Sequence, residues 1–534
     1  MVLRSAVVPL LSECLRLLNV EGAMRLRALK RLSRWCLSLL LAGWLPTMPH
    51  PANALEEVVV ELPLLQSRFA LKISELQRPE DLLEGNSDLA ELNRASGGEL
   101  GRGLMRLFHQ PLPFDITPVT EAAVGSPLLE QALLLLSSLG RVEGLETDLS
   151  GERLRQALLE AQAADPTVNL SLWQLLRALP GDRVIFNPSK AHVAISRLIR
   201  QRSEAEALFA AASVAVNAPP QTLQPVRVSQ HQLVVKHRSA PLALTVVQPT
   251  TAGEQQLVLI SHGLWDSPLN FLGWAQALAS EGYTVVLPSH PGSDSNQQHQ
   301  VLSGQAPPPE AAELGLRALD LSAINDAVAN NRLGDLQGVA TDRVVVIGHS
   351  WGATTALQLA GARPQPELLR ERCGDVEDPS RNLSWALQCS WLQGVDQASF
   401  SDPRVVAVVA VSPPMSLLFP RGSASALRSR VLLVSGTDDW VVPPDPEAIA
   451  PFRSSAQPTN SLVLVKGGDH FNLRPGSSKD GGVLAPLLVK WSHAVLGAAV
   501  AGGTNNKSEP LVLDGAWGSS KIPMADVTSQ VRSN

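Results

Sequence analysis

Residues able to carry out acyl transfer stand at three places in this chain, and the first is a serine between glycines. The segment reads Gly348-His-Ser-Trp-Gly352, with a β-branched run before it and helix-forming residues after it. This is the pattern of a strand that turns sharply at a nucleophilic serine into a helix. Small residues must flank the serine because its backbone is strained there. We therefore predict Ser350 as the nucleophile and the amide of Trp351, the first of the helix, as an oxyanion donor.

A base and an acid follow Ser350 in the order that this chemistry requires. A serine hydroxyl is a poor nucleophile at neutral pH, so a base must take its proton and an acid must fix the tautomer of that base. His470 follows one predicted strand, and the adjacent Asp438 and Asp439 follow the strand before it. His470 is the predicted base, and at this point either aspartate satisfies the requirement for an acid.

The loop after the predicted strand 256–260 supplies a second oxyanion donor. It reads Ser261-His-Gly-Leu264, and its glycine lets the backbone approach a substrate, so that the amide of Leu264 joins that of Trp351. Three histidines gather at this end of the sheet, but glycine and proline turns keep them from aligning as metal ligands; they are His262, His290 and His349. No phosphate-binding loop or dinucleotide fingerprint follows the first strands, so we predict neither a metal nor a cofactor.

The periodicity of the chain changes at a proline-rich joint, residues 218–225. From residue 55 to 217 leucines recur every three or four residues, which predicts an all-α domain. After the joint, short apolar strands alternate with helices, which predicts a mostly parallel, doubly wound α/β sheet in a domain from 218 to 501. The predicted strands are 226–235, 242–248, 256–260, 283–287, 343–347, 405–411, 430–434 and 462–466. Residues 502–534 begin with a Gly/Asn/Ser-rich stretch and are predicted to be a disordered tail.

An insertion from 363 to 403 separates the predicted nucleophile helix from the next strand. Connections in α/β units are normally a few residues, so one of this length predicts a functional element, and we expect it to cap Ser350 and set acyl-chain access. Its apolar residues fit either the lining of such a cap or the packing of a surface helix; they are Trp385, Leu387, Trp391, Leu392 and Phe400. Cys373 and Cys389 both lie within it, and spacing alone leaves open whether they form a disulfide or remain free thiols.

The amino-terminal region predicts export. Basic residues between 24 and 34 precede the apolar run 35–45, and Ala52-Asn-Ala54 follows, which is the succession of a secretory signal peptide with its cleavage site. We expect removal of residues 1–54, leaving a periplasmic or secreted chain that begins near Leu55; Met1 and Met24 both fit as its translation start. A net charge of −6 indicates no basic surface for nucleic acid. The expected partner is a small-molecule or lipid ester, and a lipid ester would allow the protein to contact a membrane surface.

Three motifs together resemble the platelet-activating-factor acetylhydrolase and dienelactone-hydrolase branch of the α/β-hydrolases. They are Ser261-His-Gly-Leu264, Pro288-Ser-His-Pro-Gly-Ser293 and Ile347-Gly-His-Ser-Trp-Gly352. The resemblance implies an α/β-hydrolase fold and a lipase-like serine esterase acting on short or oxidised acyl esters. Members of this family place the acid after a glycine and two further residues, and before a short apolar step to a proline. Gly436 and Pro443 match those positions here, which favours Asp439 over Asp438. Residues 55–217 diffusely resemble the helical domain that precedes the hydrolase domain in secreted bacterial members.

Two other functions fit the same scaffold. A thioesterase or a serine peptidase would keep the triad and change only the pocket. An inert envelope binding protein is the alternative from another class, and the joint presence of Ser350, Asp439 and His470 with both oxyanion turns argues against it.

Overall fold

The protein is described from a computed structural model. The residues that the structure describes are 55–62, 67–109, 124, 126, 128–131, 133, 140–143, 155–156, 159–160, 163, 171–179, 181–186, 188–217, 223–250, 256–375, 378–397, 400–419, 427–455, 457–475, 481–496, 516–518 and 522–533. The predicted signal region, 1–54, lies outside them. Within these ranges, no helix is long and apolar enough to cross a membrane.

The amino-terminal part of the described chain combines helices with a small sheet. Its strands are β1 (Glu57–Leu62), β2 (Ser67–Lys72), β3 (Gly140–Glu143) and β4 (Arg183–Phe186), in the order β2-β1-β4-β3. Its helices are α1 (Pro79–Glu84), α2 (Asp88–Ala95), α3 (Glu99–His109), α4 (Leu172–Ala178) and α5 (Pro188–Ala210), with a 3₁₀ turn at Ile73–Leu76. The prediction of an all-α domain from 55 to 217 is therefore wrong.

Long-range pairing explains why the small sheet was missed. β1 pairs in parallel with β4, so that Glu57 lies opposite Arg183. Leucine spacing reports only local helical packing, whereas a strand pair separated by several helices leaves no local signal. The end of α5 belongs to the larger structure that follows, because Ala205, Leu208 and Phe209 are buried in its core.

The larger structure is an α/β unit with a central sheet. Its strands are β6 (Val226–Leu233), β7 (Leu242–Pro249), β8 (Gln256–Ser261), β9 (Thr284–Pro288), β10 (Ala340–His349), β11 (Val405–Val411), β12 (Arg430–Gly436), β13 (Ser461–Val465) and β15 (Met524–Asp526); β5 (Val216–Asn217) and β14 (Ala516–Gly518) form a separate pair. Its helices are α6 (Leu272–Ser280), α7 (Ser295–Leu302), α8 (Glu313–Ala329), α9 (Trp351–Leu359), α10 (Pro366–Arg372), α11 (Leu383–Cys389), α12 (Ala450–Arg453), α13 (Ala485–Leu496) and α14 (Thr528–Ser533). Shorter turns lie at Pro268–Phe271, Gly334–Leu336, Val395–Gln397 and, as a π-helix, Asp445–Ile449.

The central sheet is mostly parallel, as predicted. Its nine strands run in the order β15-β13-β12-β11-β10-β8-β9-β7-β6. The six strands from β13 to β9 in that order are parallel, while β6 and β7 at one edge and β15 at the other run antiparallel to their neighbours. Each strand predicted between 226 and 466 is present.

Both faces of this sheet are buried, which explains why its strands are continuous apolar runs. In β10, Val344 and Val346 face one apolar cluster, whereas Val345 and Ile347 face another. Helices α8 and α9 cover the first cluster, and α6 and α13 cover the second. Motifs at the ends of the strands are thereby held on a rigid, two-sided core.

The carboxyl-terminal segment corrects the prediction of a disordered tail at 502–534. Strand β15 pairs with β13, and α14 follows it. Ala525, Val527 and Val531 are fully buried in the core. The Gly/Asn/Ser-rich start of the segment dominated the prediction, whereas the short apolar sequence after it supplies an edge strand. Residues 502–515 lie outside the described chain.

Candidate active site

The turn at Ser350 is held by close backbone contacts. Ser350 lies between β10 and α9 with a φ of 53°, and its amide donates to the carbonyl of Val411 over 2.9 Å. A Cβ on Gly348 would lie 2.0 Å from the carbonyl oxygen of Gly352, and a Cβ on Gly352 would lie 2.0 Å from that of Ser261. Both glycines are therefore required, and the strained backbone of Ser350 makes it a candidate functional position.

The histidine and one of the two aspartates are in direct contact. His470 Nδ1 lies 3.0 Å from Asp439 Oδ2, and both residues are buried. The other oxygen of Asp439 accepts from the amides of Val441 and Val442, at 3.0 and 2.8 Å, so the carboxylate is fixed from two sides. Asp438 instead lies 3.1 Å from Arg202 in a partly exposed ion pair. Asp439, and not Asp438, contacts the histidine ring.

His349 links the serine turn to the histidine loop. Its Nε2 donates to the carbonyl of His470 over 2.9 Å, and the two rings are 4.8 Å apart. Burial, and then the proximity of His470, lowers the pKa of His349 well below its usual value, so its ring is neutral and can donate from only one nitrogen. The residue before Ser350 thus fixes the backbone of His470, and the Ser350 turn and the His470 loop lie side by side.

The oxyanion loop, residues 261–266, lies against the serine. A Cβ on Gly263 would be 3.2 Å from that of Ser350. In the part of the chain that the structure describes, the amide of Leu264 donates to no protein acceptor, and the amide of Trp351 is the first of α9, where a helix has no internal partner. Two amides beside the serine are therefore available to an oxyanion.

Residues 256–370 match the family model of the alpha/beta hydrolase fold. The matched segment contains the oxyanion loop and the turn at Ser350. The match and the mostly parallel sheet fit an alpha/beta hydrolase fold, which implies a hydrolase. A search of curated proteins finds no match to the chain.

A buried polar cluster beneath the oxyanion loop of this hydrolase fold was not predicted from the sequence. We call it the Arg317 cluster, and its members are Arg238, His262, His290, Glu313, Arg317 and Asp320. Arg238 pairs with both Glu313 and Asp320, and His290 Nδ1 donates to Asp320 over 2.7 Å. Burial, and then the nearby Arg317, lowers the pKa of His290 to about 3, so its ring is neutral. Although burial opposes it, hydrogen bonds from His237, His290 and Arg238 hold the pKa of Asp320 below its usual range.

A sequence signal for this cluster existed in α8. Glu313, Arg317 and Asp320 are spaced by four and three residues, which places all three on one face of a helix rich in leucine and alanine. All three are buried. Charged residues at helical spacing within a core helix predict a buried ionic network. The sequence analysis instead considered His262 and His290 without this helix and assigned them to turns of the fold. No group of three or more His, Cys, Asp or Glu in the described residues could hold a metal ion.

The insertion at 363–403 packs over the start of the nucleophile helix. The ring of Trp391 lies 4.4 Å from that of Trp351, and Trp391 and Trp385 are buried in the core. Cys373 and Cys389 form a disulfide that joins α10 to α11. The other predicted apolar residues of the insertion, Leu387, Leu392 and Phe400, are half-buried against the same core.

A buried carboxylate helps to anchor this insertion to the rest of the α/β unit. Glu447 is fully buried and accepts from the side chains of Ser384 and Gln388 in α11. It also accepts from the amides of Met415 and Ser416, each at 2.8 Å, in the loop after β11. Burial raises the pKa of Glu447 even though these donors favour the carboxylate. The position of the insertion therefore depends on a residue distant in the sequence.

Proposed function

We propose that this protein is a serine ester hydrolase that works through Ser350, His470 and Asp439. The observation that carries the proposal is the hydrogen bond between His470 and Asp439 beside the strained turn at Ser350. A binding protein has no need for a strained serine next to an oriented histidine. The alpha/beta hydrolase match at 256–370 supports the same reaction class.

In the proposed mechanism, Ser350 Oγ attacks the carbonyl carbon of the ester while His470 takes its proton. Asp439 accepts from His470 Nδ1, which leaves Nε2 as the base and stabilises the imidazolium. The amides of Leu264 and Trp351 stabilise the oxyanion. His470 then gives the proton to the leaving alcohol. In the second half of the reaction, His470 takes a proton from water, which attacks the acyl carbon, and returns that proton to Ser350 Oγ as the acid leaves.

We propose esters with an apolar part as the substrates, alongside the short or oxidised acyl esters that the resemblance to the platelet-activating-factor acetylhydrolase and dienelactone-hydrolase branch implies. Trp440 and Phe471 directly follow the proposed acid and base, and each side chain is 53% exposed. The ring of Phe471 lies edge-on to that of His470, with the centroids 5.6 Å apart. Two exposed aromatic rings next to the triad favour a lipid or other apolar ester over a charged substrate.

Hydrolysis of p-nitrophenyl esters of graded chain length tests the proposal. We expect turnover by the wild-type protein and none above background by Ser350→Ala, with thermal unfolding as the check that the variant is folded. Labelling of Ser350 by a fluorophosphonate, located by peptide mass spectrometry, identifies the nucleophile directly. Ester hydrolysis that persists in Ser350→Ala would remove the proposed mechanism.

We also propose that the protein works outside the cytoplasm. The disulfide between Cys373 and Cys389 supports this compartment, because structural disulfides persist where the surroundings are oxidising. The signal-like succession before Leu55 supports it independently. Mass measurement of the protein purified from its own host is expected to give an amino terminus near Leu55, and an intact amino-terminal region there would contradict export.

A further inference from the structure

The oxyanion loop is held from beneath by a buried guanidinium. Arg317 in α8 is fully buried and donates to the backbone carbonyl of His262. It also donates to the hydroxyl of Ser293 over 2.7 Å. The carbonyl of Ser293 in turn accepts from the amide of Trp265 over 2.7 Å. Arg317 thus supports the loop directly at His262 and, through Ser293, at Trp265.

Arg317 supports the oxyanion loop on both sides of the proposed oxyanion donor, the amide of Leu264. The peptide that it holds joins His262 to Gly263, which lies against Ser350. The second supported residue, Trp265, has a φ of 55°, a conformation that a bulky residue adopts only when its surroundings impose it. The amide of Leu264 lies between these two points. Its direction is therefore set by how firmly the flanking peptides are held.

The two buried arginines of the Arg317 cluster use their hydrogen bonds differently. Arg238 directs its donors to the carboxylates of Glu313 and Asp320. In the described structure, Arg317 makes no such ion pair, and its donors go to a loop carbonyl and to serine hydroxyls. Burial lowers the pKa of Arg317 to about 10, which still leaves it charged at neutral pH. A buried cation is costly, and here its hydrogen bonds fix the oxyanion loop rather than a carboxylate.

We propose that Arg317 is a positioning residue for the reaction, fixing the peptide between His262 and Gly263 and so aiming the amide of Leu264 at the oxyanion. This inference rests on the proposed ester hydrolase function. A positioning residue of this kind affects the transition state, where the oxyanion forms, more than the binding of substrate.

Kinetics of matched variants test the role. Arg317→Lys keeps the charge but replaces a forked donor by a single point, so it cannot hold His262 and Ser293 together. We expect kcat to fall about tenfold with KM within about threefold, and a fall of up to about a hundredfold in Arg317→Met, below the loss from deleting an oxyanion donor outright. Arg238→Lys is the control, because it perturbs the same buried cluster without touching the loop. Its kcat is expected to stay within about threefold of the wild type.

Hydrogen exchange of the loop gives a readout that does not depend on activity. In Arg317→Lys we expect peptides covering residues 261–268 to exchange about tenfold faster, and in Arg238→Lys we expect no such change there. Unchanged exchange in Arg317→Lys, or an equal loss of kcat in both lysine variants, would overturn the positioning role. If the wild-type protein turns over no ester, the proposed function fails and the exchange of the loop alone decides the role of Arg317.

Discussion

The turn at Ser350 and the insertion at 363–403 meet where Trp391 packs on Trp351 at the start of α9, yet they are held in place by different means. The serine turn depends on backbone sterics, with Gly348 and Gly352 too close to neighbouring carbonyls to carry side chains. The insertion depends on side chains, namely a disulfide within it and Glu447 outside it. From this difference we expect that catalysis and substrate access can be altered separately. Changes at the first region are expected to affect rate, and changes at the second to affect stability and substrate choice.

The largest expected effect is on rate. His470→Ala is expected to lower kcat by about a millionfold because it removes the base that activates Ser350. Thermal unfolding should change little, since no part of the insertion depends on this ring. Esterase assays paired with unfolding curves check both expectations. A variant that loses most of its stability along with its activity would contradict the expectation that changes at the serine turn and the loop beside it affect rate alone.

The two adjacent aspartates, Asp438 and Asp439, are expected to differ in their effect on rate. Asp439→Asn keeps an acceptor for the amides of Val441 and Val442 but disfavours the required tautomer of His470, so we expect kcat to fall on the order of a thousandfold. Asp438→Asn removes a partly exposed ion pair with Arg202 and keeps an acceptor for Thr437, so it is expected to change kcat less than about twofold. Steady-state kinetics of both variants decide the matter, and the reverse ranking would assign the acid role to Asp438.

At the insertion, the expected effect moves to stability. Glu447→Ala leaves buried donors of α11 and of residues 415–416 without an acceptor, and we expect it to lower the free energy of unfolding by about 3 kcal/mol. The folded variant should retain kcat within about threefold on a short ester. Chemical denaturation and kinetics measure the two quantities. A normal stability in Glu447→Ala would show that the insertion is anchored elsewhere.

Glu447 also predicts a pH dependence. Because burial raises its pKa in the folded state, the folded protein binds this proton more tightly than the unfolded chain. The stability of the wild type minus that of Glu447→Gln should therefore fall as pH rises above about 4.3, the ordinary glutamate value. Denaturation of both proteins across that range measures the slope. A difference that grows with pH would mean that the donors around Glu447 outweigh its burial.

The disulfide is expected to contribute about as much to stability as Glu447 does. Replacing Cys373 and Cys389 by serine should lower the free energy of unfolding by about 3 kcal/mol at most, because the closed loop is short. Thiol titration of the unreduced, denatured mature protein should find no free thiol. Two free thiols per chain would remove the disulfide from this account.

The smallest expected effect is a shift in substrate choice. Trp391→Phe preserves an aromatic contact with Trp351 but leaves space above the nucleophile helix. We expect about a threefold change in the ratio of kcat/KM for the octanoate ester over the butyrate ester, with little change in stability. An unchanged ratio would leave the insertion as packing rather than as an acyl-selecting cap.

What the sequence could predict follows the same division. The turn at Ser350 and the parallel strands were predictable because glycine spacing and apolar runs are local consequences of backbone geometry. The order of the motifs predicted that His470 meets one of the two adjacent aspartates, and the family resemblance favoured Asp439, which contacts its ring. The pairing of β1 with β4, the anchoring of α11 by Glu447 and the hold of Arg317 on His262 join distant segments, and local patterns do not report them. In α8 the spacing of Glu313, Arg317 and Asp320 was the one available sign of the buried cluster.

Strand β15 has a consequence for how the protein is made. It pairs with β13, and the amide of Lys466, just after β13, donates to the carbonyl of Pro523 over 2.9 Å. During synthesis β13 keeps an open edge until residues 524–526 leave the ribosome, and an open edge can pair with another chain. The loop that carries His470 is therefore among the last parts of the site to gain its support. A fusion or deletion that disturbs this segment should first appear as lost yield, before any change in catalysis is measured.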